Sequence, residues 1–235
     1  MPSFMDILLG SAQILSGIYM VVKPQEEKSG NQEIGDIIGD IKVDDKLQGN
    51  LYEVKTIDQR VKRVIEMINK GKQDPKVRAV AVKIVSRLCG DKHCVKERDH
   101  YGEVKAIFDW VRKYIRYVHD INGIDTFQHP ARTIEFGGGD CDDYTILLAS
   151  LYQSIGYPVR IRVVAAVRPD VYRNMTPAQK SRIDYNHIYL LVGIPPHKLP
   201  DSQKTWIPVD GSVNKPFGWE VPKQFVAKSK FYKVE

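Results

Sequence analysis

Gly137-Gly138-Gly139-Asp140-Cys141-Asp142-Asp143-Tyr144 is the stretch on which the reading of this chain turns. Three glycines lead into one cysteine, and an amphipathic pattern starts at once. Tyr144, Leu147, Leu148, Leu151 and Ile155 fall at i, i+3, i+4, i+7 and i+11, the spacing of one buried helical face. Asp140 stands at the N-cap position with Asp143 three residues on, and Gly156 followed by Pro158 is a stop signal. Cys141 is thereby placed in the first turn, where unpaired backbone N–H groups and the positive end of the helix dipole favour thiolate over thiol. A buried structural cysteine has no need of that placement, whereas a nucleophile does. Asp142 and Asp143 suit the same helix end, although their charge opposes ionisation of the thiol.

A nucleophilic cysteine needs a base, and the base needs an orienting group. Asn186-His187-Ile188-Tyr189-Leu190-Leu191-Val192 sets a histidine at the mouth of a β-rich apolar run, and Thr205-Trp206-Ile207-Pro208-Val209-Asp210 is a second short strand ending in a carboxylate. Two adjacent antiparallel strands would set His187 against Cys141 with Asp210 behind it. Spacing alone leaves other pairings open, since the chain has six histidines.

Gly-Asp-Cys-Asp-Asp at a helix start, then Ile155-Gly156-Tyr157-Pro158-Val159-Arg160, a strand-borne histidine and Trp-x-Pro-x-Asp, in that order, resembles the transglutaminase-like superfamily. More narrowly, it is similar to the small members encoded among phage structural genes. There Ile107-Phe108-Asp109-Trp110-Val111, Phe127-Gln128-x-Pro130 and Gly218-Trp219-Glu220-x-Pro222 also recur. The resemblance spans residues 57–222. It implies an α+β, papain-like fold, with helices packed on a small antiparallel sheet and a Cys141, His187, Asp210 triad. The implied activity is cysteine-dependent acyl transfer at an amide or peptide carbonyl, as an enzyme or as a structural virion subunit that kept the fold. One departure is Asp210-Gly211-Ser212, where Asp-Pro-Thr is commoner; another is the long segment between His187 and Asp210.

Around that nucleus the rest is supporting. At 235 residues the chain reads as one domain, 51–235, with an N-terminal arm, 1–50. Residues 1–22 are apolar without an early basic cluster and fit neither a signal peptide nor a spanning helix cleanly. They read as an amphipathic helix docking on a partner subunit or a membrane surface, or folding back on the domain. Residues 23–50 are polar and glycine-punctuated, a linker with a short apolar element at 34–43. The expected partners are a protein or peptide substrate and other virion subunits. The expected setting is the host cytoplasm during assembly and then the particle. Net charge of +6 and a pI near 9.0 come without a recognisable nucleic-acid module, and nucleic acid is not expected as a partner.

Three helices are predicted before the cysteine. The first buries Val61, Val64, Ile65 and Ile68 and ends at Gly71. The second opens at Asp74-Pro75, buries Val77, Val80, Ala81, Ile84 and Leu88 and stops near Gly90. The third buries Val104, Ile107, Phe108, Val111, Ile115 and Val118. Trp110 and Tyr114 lie off that stripe as core or groove wall, and Trp110, Gly139 and Tyr189 are assigned to the substrate groove. Cys89 and Cys94, with His93 and His100, match no zinc finger or ribbon spacing. They read as free thiols in a loop, able to pair under oxidation, in a reducing compartment. No metal or other cofactor is expected. Gln128 is either a donor to a developing oxyanion beside the Cys141 N–H or a structural tie on the glycine loop. Residues 168–186 form an insert with a capping box at Thr176, either a lid or a decorated hairpin. His119, His129 and His197 have no partner in motif spacing.

Overall fold

The computed structural model describes residues 56–119, 126–196 and 199–235. The predicted N-terminal helix and linker, and His197, lie outside the described residues.

Three helices come first. α1 (Ile57–Gln73) starts in a reciprocal capping box between Thr56 and Gln59 and buries Val61, Val64, Met67 and Ile68. α2 (Pro75–Val85) is capped by Asp74, with proline in the position where a missing N–H costs nothing. It buries Val77, Val80, Ala81 and Ile84 but ends earlier than predicted. Leu88 is 60% exposed in a hairpin of two-residue strands, β1 (Leu88–Cys89) and β2 (Lys92–His93). A Cys89–Cys94 disulfide closes that hairpin, so the two thiols are paired and not free. α3 (His100–Tyr114) also stops short, because Ile115 takes an extended conformation and Arg116–Tyr117 form a short strand, β3. Val118, expected in the buried stripe, is therefore 42% exposed, whereas Trp110 and Tyr114 are buried.

After α4 (Pro130–Phe136) and β4 (Gly138–Gly139) comes the central helix, α5 (Cys141–Ser154). The sequence pattern predicts one buried face, but every residue from Asp142 to Tyr152 is buried, the small Ala149 and Ser150 included. Helices α1 to α4 and the sheet enclose it on different sides. A helix covered all round is a core element, not a surface one.

The sheet is antiparallel throughout, with strand order β7-β6-β5-β8. The strands are β5 (Val159–Ala166), β6 (His187–Ile194), β7 (Thr205–Val209) and β8 (Val226–Lys233). Ile161, Val163, Ile188, Leu190, Val192 and Val209 join the main core with α5. The alternate residues Val164 and Tyr189 form a separate small cluster with Val221. Arg160 and Arg162, two residues apart on one face of β5, pair with Asp201 and Glu220. Between β5 and β6 the insert carries α6 (Pro169–Asn174) and α7 (Pro177–Ser181), the latter in the predicted Thr176 capping box. Among the described residues, no helix is long and apolar enough to cross a membrane. The fold is the expected α+β one, with helices packed on a small antiparallel sheet.

Candidate active site

The glycine run is shaped by what it touches. Gly137 ends α4 in the left-handed conformation, φ 68°, which a side chain would disfavour. Gly138 and Gly139 then pair in parallel with Arg116 and Tyr117. A Cβ on Gly139 would lie 2.5 Å from Asp143 Cβ, so only glycine lets the loop lie against the helix start. The Asp140 carboxylate accepts from the N–H groups of Asp142 (2.9 Å) and Asp143 (3.1 Å), and Asp143 accepts from the Asp140 N–H (3.3 Å). The predicted cap is present, with a chemical consequence. Two first-turn amides that would favour a thiolate are already spent on Asp140. The Cys141 N–H bonds no acceptor among the described residues.

His187 opens β6 opposite Val164, and β7 runs antiparallel beside β6 with Leu190 opposite Val209. One step further, Asp210 comes opposite Tyr189 and diagonal to His187 on the same face. The His187 Nε2–Asp210 Oδ2 distance is 2.6 Å, and Asp210 is 5% exposed. The other carboxylate oxygen accepts from the Ser212 N–H (3.2 Å) and hydroxyl (2.8 Å). Arg112 of α3 donates to the Gly211 carbonyl and to Asn214 Oδ1, both at 2.9 Å, which anchors the turn carrying Asp210. A Cβ at 211 would lie 2.8 Å from Tyr144 Cδ1 and 2.9 Å from Leu148 Cδ1. That crowding accounts for a glycine at this position.

Cys141 is half-buried and is the free cysteine of the three. The Thr145 hydroxyl lies 2.8 Å from the Cys141 carbonyl and 3.4 Å from that of Ile188, so it bridges the cysteine turn and the start of the histidine strand. With Nε2 engaged by Asp210, Nδ1 is the imidazole nitrogen left for proton exchange. Among the described residues Asp210 is the side-chain partner of the imidazole, and the Cys141 sulfur accepts no hydrogen bond. Such bonds commonly tighten only when substrate arrives.

The electrostatics depart from the sequence expectation. Burial pushes the Cys141 thiol well above its ordinary range, and the Asp140, Asp142 and Asp210 carboxylates push the same way, while Arg60 opposes them. Burial alone would pull His187 down, but the Asp210 charge and hydrogen bond, helped by Asp142, raise it instead. Asp143 is pushed up to about 6, chiefly by burial and further by Asp142, against the hydrogen bonds it accepts from Gln128 and Asp140. These charges favour a neutral thiol at Cys141 and a readily protonated imidazole at His187.

The other predicted residues fall differently. Gln128 is a structural tie: its backbone N–H and side-chain amide donate to the two oxygens of Asp143 (2.8 and 2.7 Å), with Gly138 O at 3.5 Å from the amide. Those amide hydrogens are aimed at the loop, not at an oxyanion. Trp110, Gly139 and Tyr189 do not present a groove, since all three are buried. Trp110 packs in the core beside Tyr114, Gly139 on Asp143, and Tyr189 in the small cluster under Val221. His129 caps α4, and His119 lies edge-on to Tyr117. The insert buries no residue of α6 or α7, and Asn186 closes its base with two hydrogen bonds to Ala166, directly before His187. Sequence reasoning missed Arg60, Arg112, Thr145 and Ser212. Only Ser212, two residues after Asp210 in a turn-forming pair, left a local signal.

No curated protein matches the chain. Among solved structures it is similar to one described as a "putative cysteine protease" from Cytophaga hutchinsonii, with 16% identity and a TM-score of 0.40. The alignment covers 73% of this chain and 51% of that one, so this chain spans about half the length of that protein. Residues 89–211 match the family model described as Transglutaminase-like superfamily, a narrower span than the sequence resemblance suggests but more than half of the 235 residues. Cys141, His187 and Asp210 all lie within it. The chain belongs to the transglutaminase-like superfamily.

Proposed function

We propose that this protein performs cysteine-dependent acyl transfer at an amide or peptide carbonyl, with Cys141 as nucleophile, His187 as base and Asp210 as the group that orients it. The observation that carries this reading is the His187 Nε2–Asp210 Oδ2 contact at 2.6 Å, which leaves Nδ1 for the thiol. On binding, Nδ1 takes the Cys141 proton as sulfur attacks the carbonyl carbon. The Cys141 N–H donates to the oxygen that becomes negative. Collapse breaks the C–N bond, the imidazolium gives its proton to the leaving amine, and a thioester remains. Water then attacks, losing its proton to His187, and releases the acid and the thiol. A neutral thiol beside a raised imidazole suits transfer in step with attack better than a standing ion pair. We favour water over an amine as acceptor.

The motif order, which resembles that of the small phage-encoded members, supports a virion-associated setting, with residues 1–50 attaching the domain to neighbouring subunits. The second reading is a non-catalytic connector that kept the fold. It draws on the carboxylates that oppose ionisation of Cys141 and on the sulfur's lack of a hydrogen bond to His187. The test is incubation with denatured casein, with and without a fluorescent primary amine, for wild type and Cys141→Ala. Peptide release that depends on Cys141 supports hydrolysis, and amine incorporation supports crosslinking. Neither product from wild type leaves the connector.

A further inference from the structure

Arg60 belongs to α1 (Ile57–Gln73), a helix wholly outside the 89–211 region that matches the family. Its Nε nevertheless lies 2.9 Å from Oδ2 of Asp142, the residue that directly follows Cys141. The Asp142 side chain is 0% exposed and that of Arg60 29%. We propose that Arg60 is a positioning residue for Cys141: its guanidinium holds Asp142 in the cysteine turn and offsets that carboxylate's charge beside the sulfur. The inference rests on Cys141 as nucleophile, and it extends the site to a helix that the family match does not include.

Two alternatives for the pair are already served by other groups. Asp142 is not needed to start α5, because the reciprocal cap is made by Asp140 and Asp143. Nor is the ion pair needed to dock α1, because Val61, Val64 and Ile68 are fully buried in the core. Without a cation next to it, an ionised carboxylate at Asp142's depth would protonate or drive the sulfur further from ionisation. Among the described residues, the charged and titratable groups around Cys141 come from four places. Asp140, Asp142 and Asp143 belong to its own turn, His187 to β6, Asp210 follows β7, and Arg60 comes from α1. Apart from the imidazole, Arg60 is the cation of that set, and it pulls the thiol down where burial and the carboxylates push it up.

The experiment is the pH dependence of Cys141 alkylation by iodoacetamide in the full chain, followed by peptide mass. Arg60→Met is expected to slow labelling at pH 7.5 about threefold or more, the effect of half a pKa unit upward. Arg60→Lys should recover most of the rate, because it keeps the charge. Since Arg60→Met leaves Asp142 buried without this partner and can fail to fold, the comparison is repeated in a background without that carboxylate. Asp142→Asn should label faster than wild type, and Arg60→Met/Asp142→Asn slower than Asp142→Asn. Val64→Ala, which weakens docking of α1 only, should lower Tm and leave the titration in place. An unmoved titration in both arginine variants overturns the proposal, as does an equal shift in Val64→Ala. Turnover does not enter this readout, so a protein inert on every substrate counts against the proposed function without deciding the role of Arg60.

Discussion

His187 and Asp210 stand 23 residues apart in the chain and 2.6 Å apart in space, joined because β7 returns antiparallel along β6. The contact sets a clear order of effects. His187→Ala is expected to abolish turnover, because it removes the base. Asp210→Asn should keep the fold and lower kcat roughly a hundredfold to ten-thousandfold, since the base remains while its tautomer and orientation are lost. Circular dichroism with a turnover assay of both variants checks this. Equal activity of Asp210→Asn and wild type would remove Asp210 from the site.

The same pair predicts a pH dependence of stability. His187 is raised above its ordinary value by Asp210, so the folded state holds this proton more tightly than the unfolded chain. The stabilisation is fully present below the unfolded value of about 6.5 and is lost as pH rises through the folded value. The stability difference between wild type and His187→Gln, from urea unfolding at several pH values, should therefore shrink from pH 6 to pH 9.

Asp143 contributes with the opposite cost. Its value, raised from 3.8 to about 6, means that burying the ionised form is unfavourable. Stability associated with this group is present below the unfolded value and is lost as pH rises through about 6. Relative to Asp143→Asn, the wild type should gain on the order of 2 kcal/mol between pH 7 and pH 4. A flat difference across that range would mean that the hydrogen bonds from Gln128 carry Asp143 as an ordinary carboxylate.

Gly211→Ala should cost about 1–3 kcal/mol by overpacking. Its Cβ would meet Tyr144 and Leu148 at 2.8 and 2.9 Å, so the turn has to move and take Asp210 with it. Loss of turnover larger than the loss in Tm explains would show that displacement. An alanine that leaves both untouched would show that the turn has slack.

Alkylation without reductant should label Cys141 alone, slowly at neutral pH and faster as pH rises through the range above an ordinary thiol, because Cys89 and Cys94 are paired. Reduction should expose two further thiols. Rapid labelling of Cys141 at pH 6 would show that binding of its first-turn N–H outweighs the carboxylates.

What the sequence determined by itself is the local part. The helix that starts at Cys141, its Asp140–Asp143 cap, the apolar face of α1, the capping of α2 and the strands of His187 and Asp210 were all legible. Each depends on side chains within one or two turns or on strict alternation. The glycine run was legible as a tight entry, though not that Gly139 lies on Asp143. Helix ends were less so: α2 and α3 stop before their apolar patterns do, because Leu88 is drawn into β1 and Val118 falls just beyond β3. Only the tertiary structure decided how the site is charged. Asp140 spends the amides that were expected to stabilise a thiolate, and Asp142 is buried against an arginine 82 residues earlier. It also committed Gln128 to Asp143 and enclosed Trp110 and Tyr189. Desolvation and long-range pairing are set by what packs over a residue, and no local pattern around Cys141 encodes Arg60.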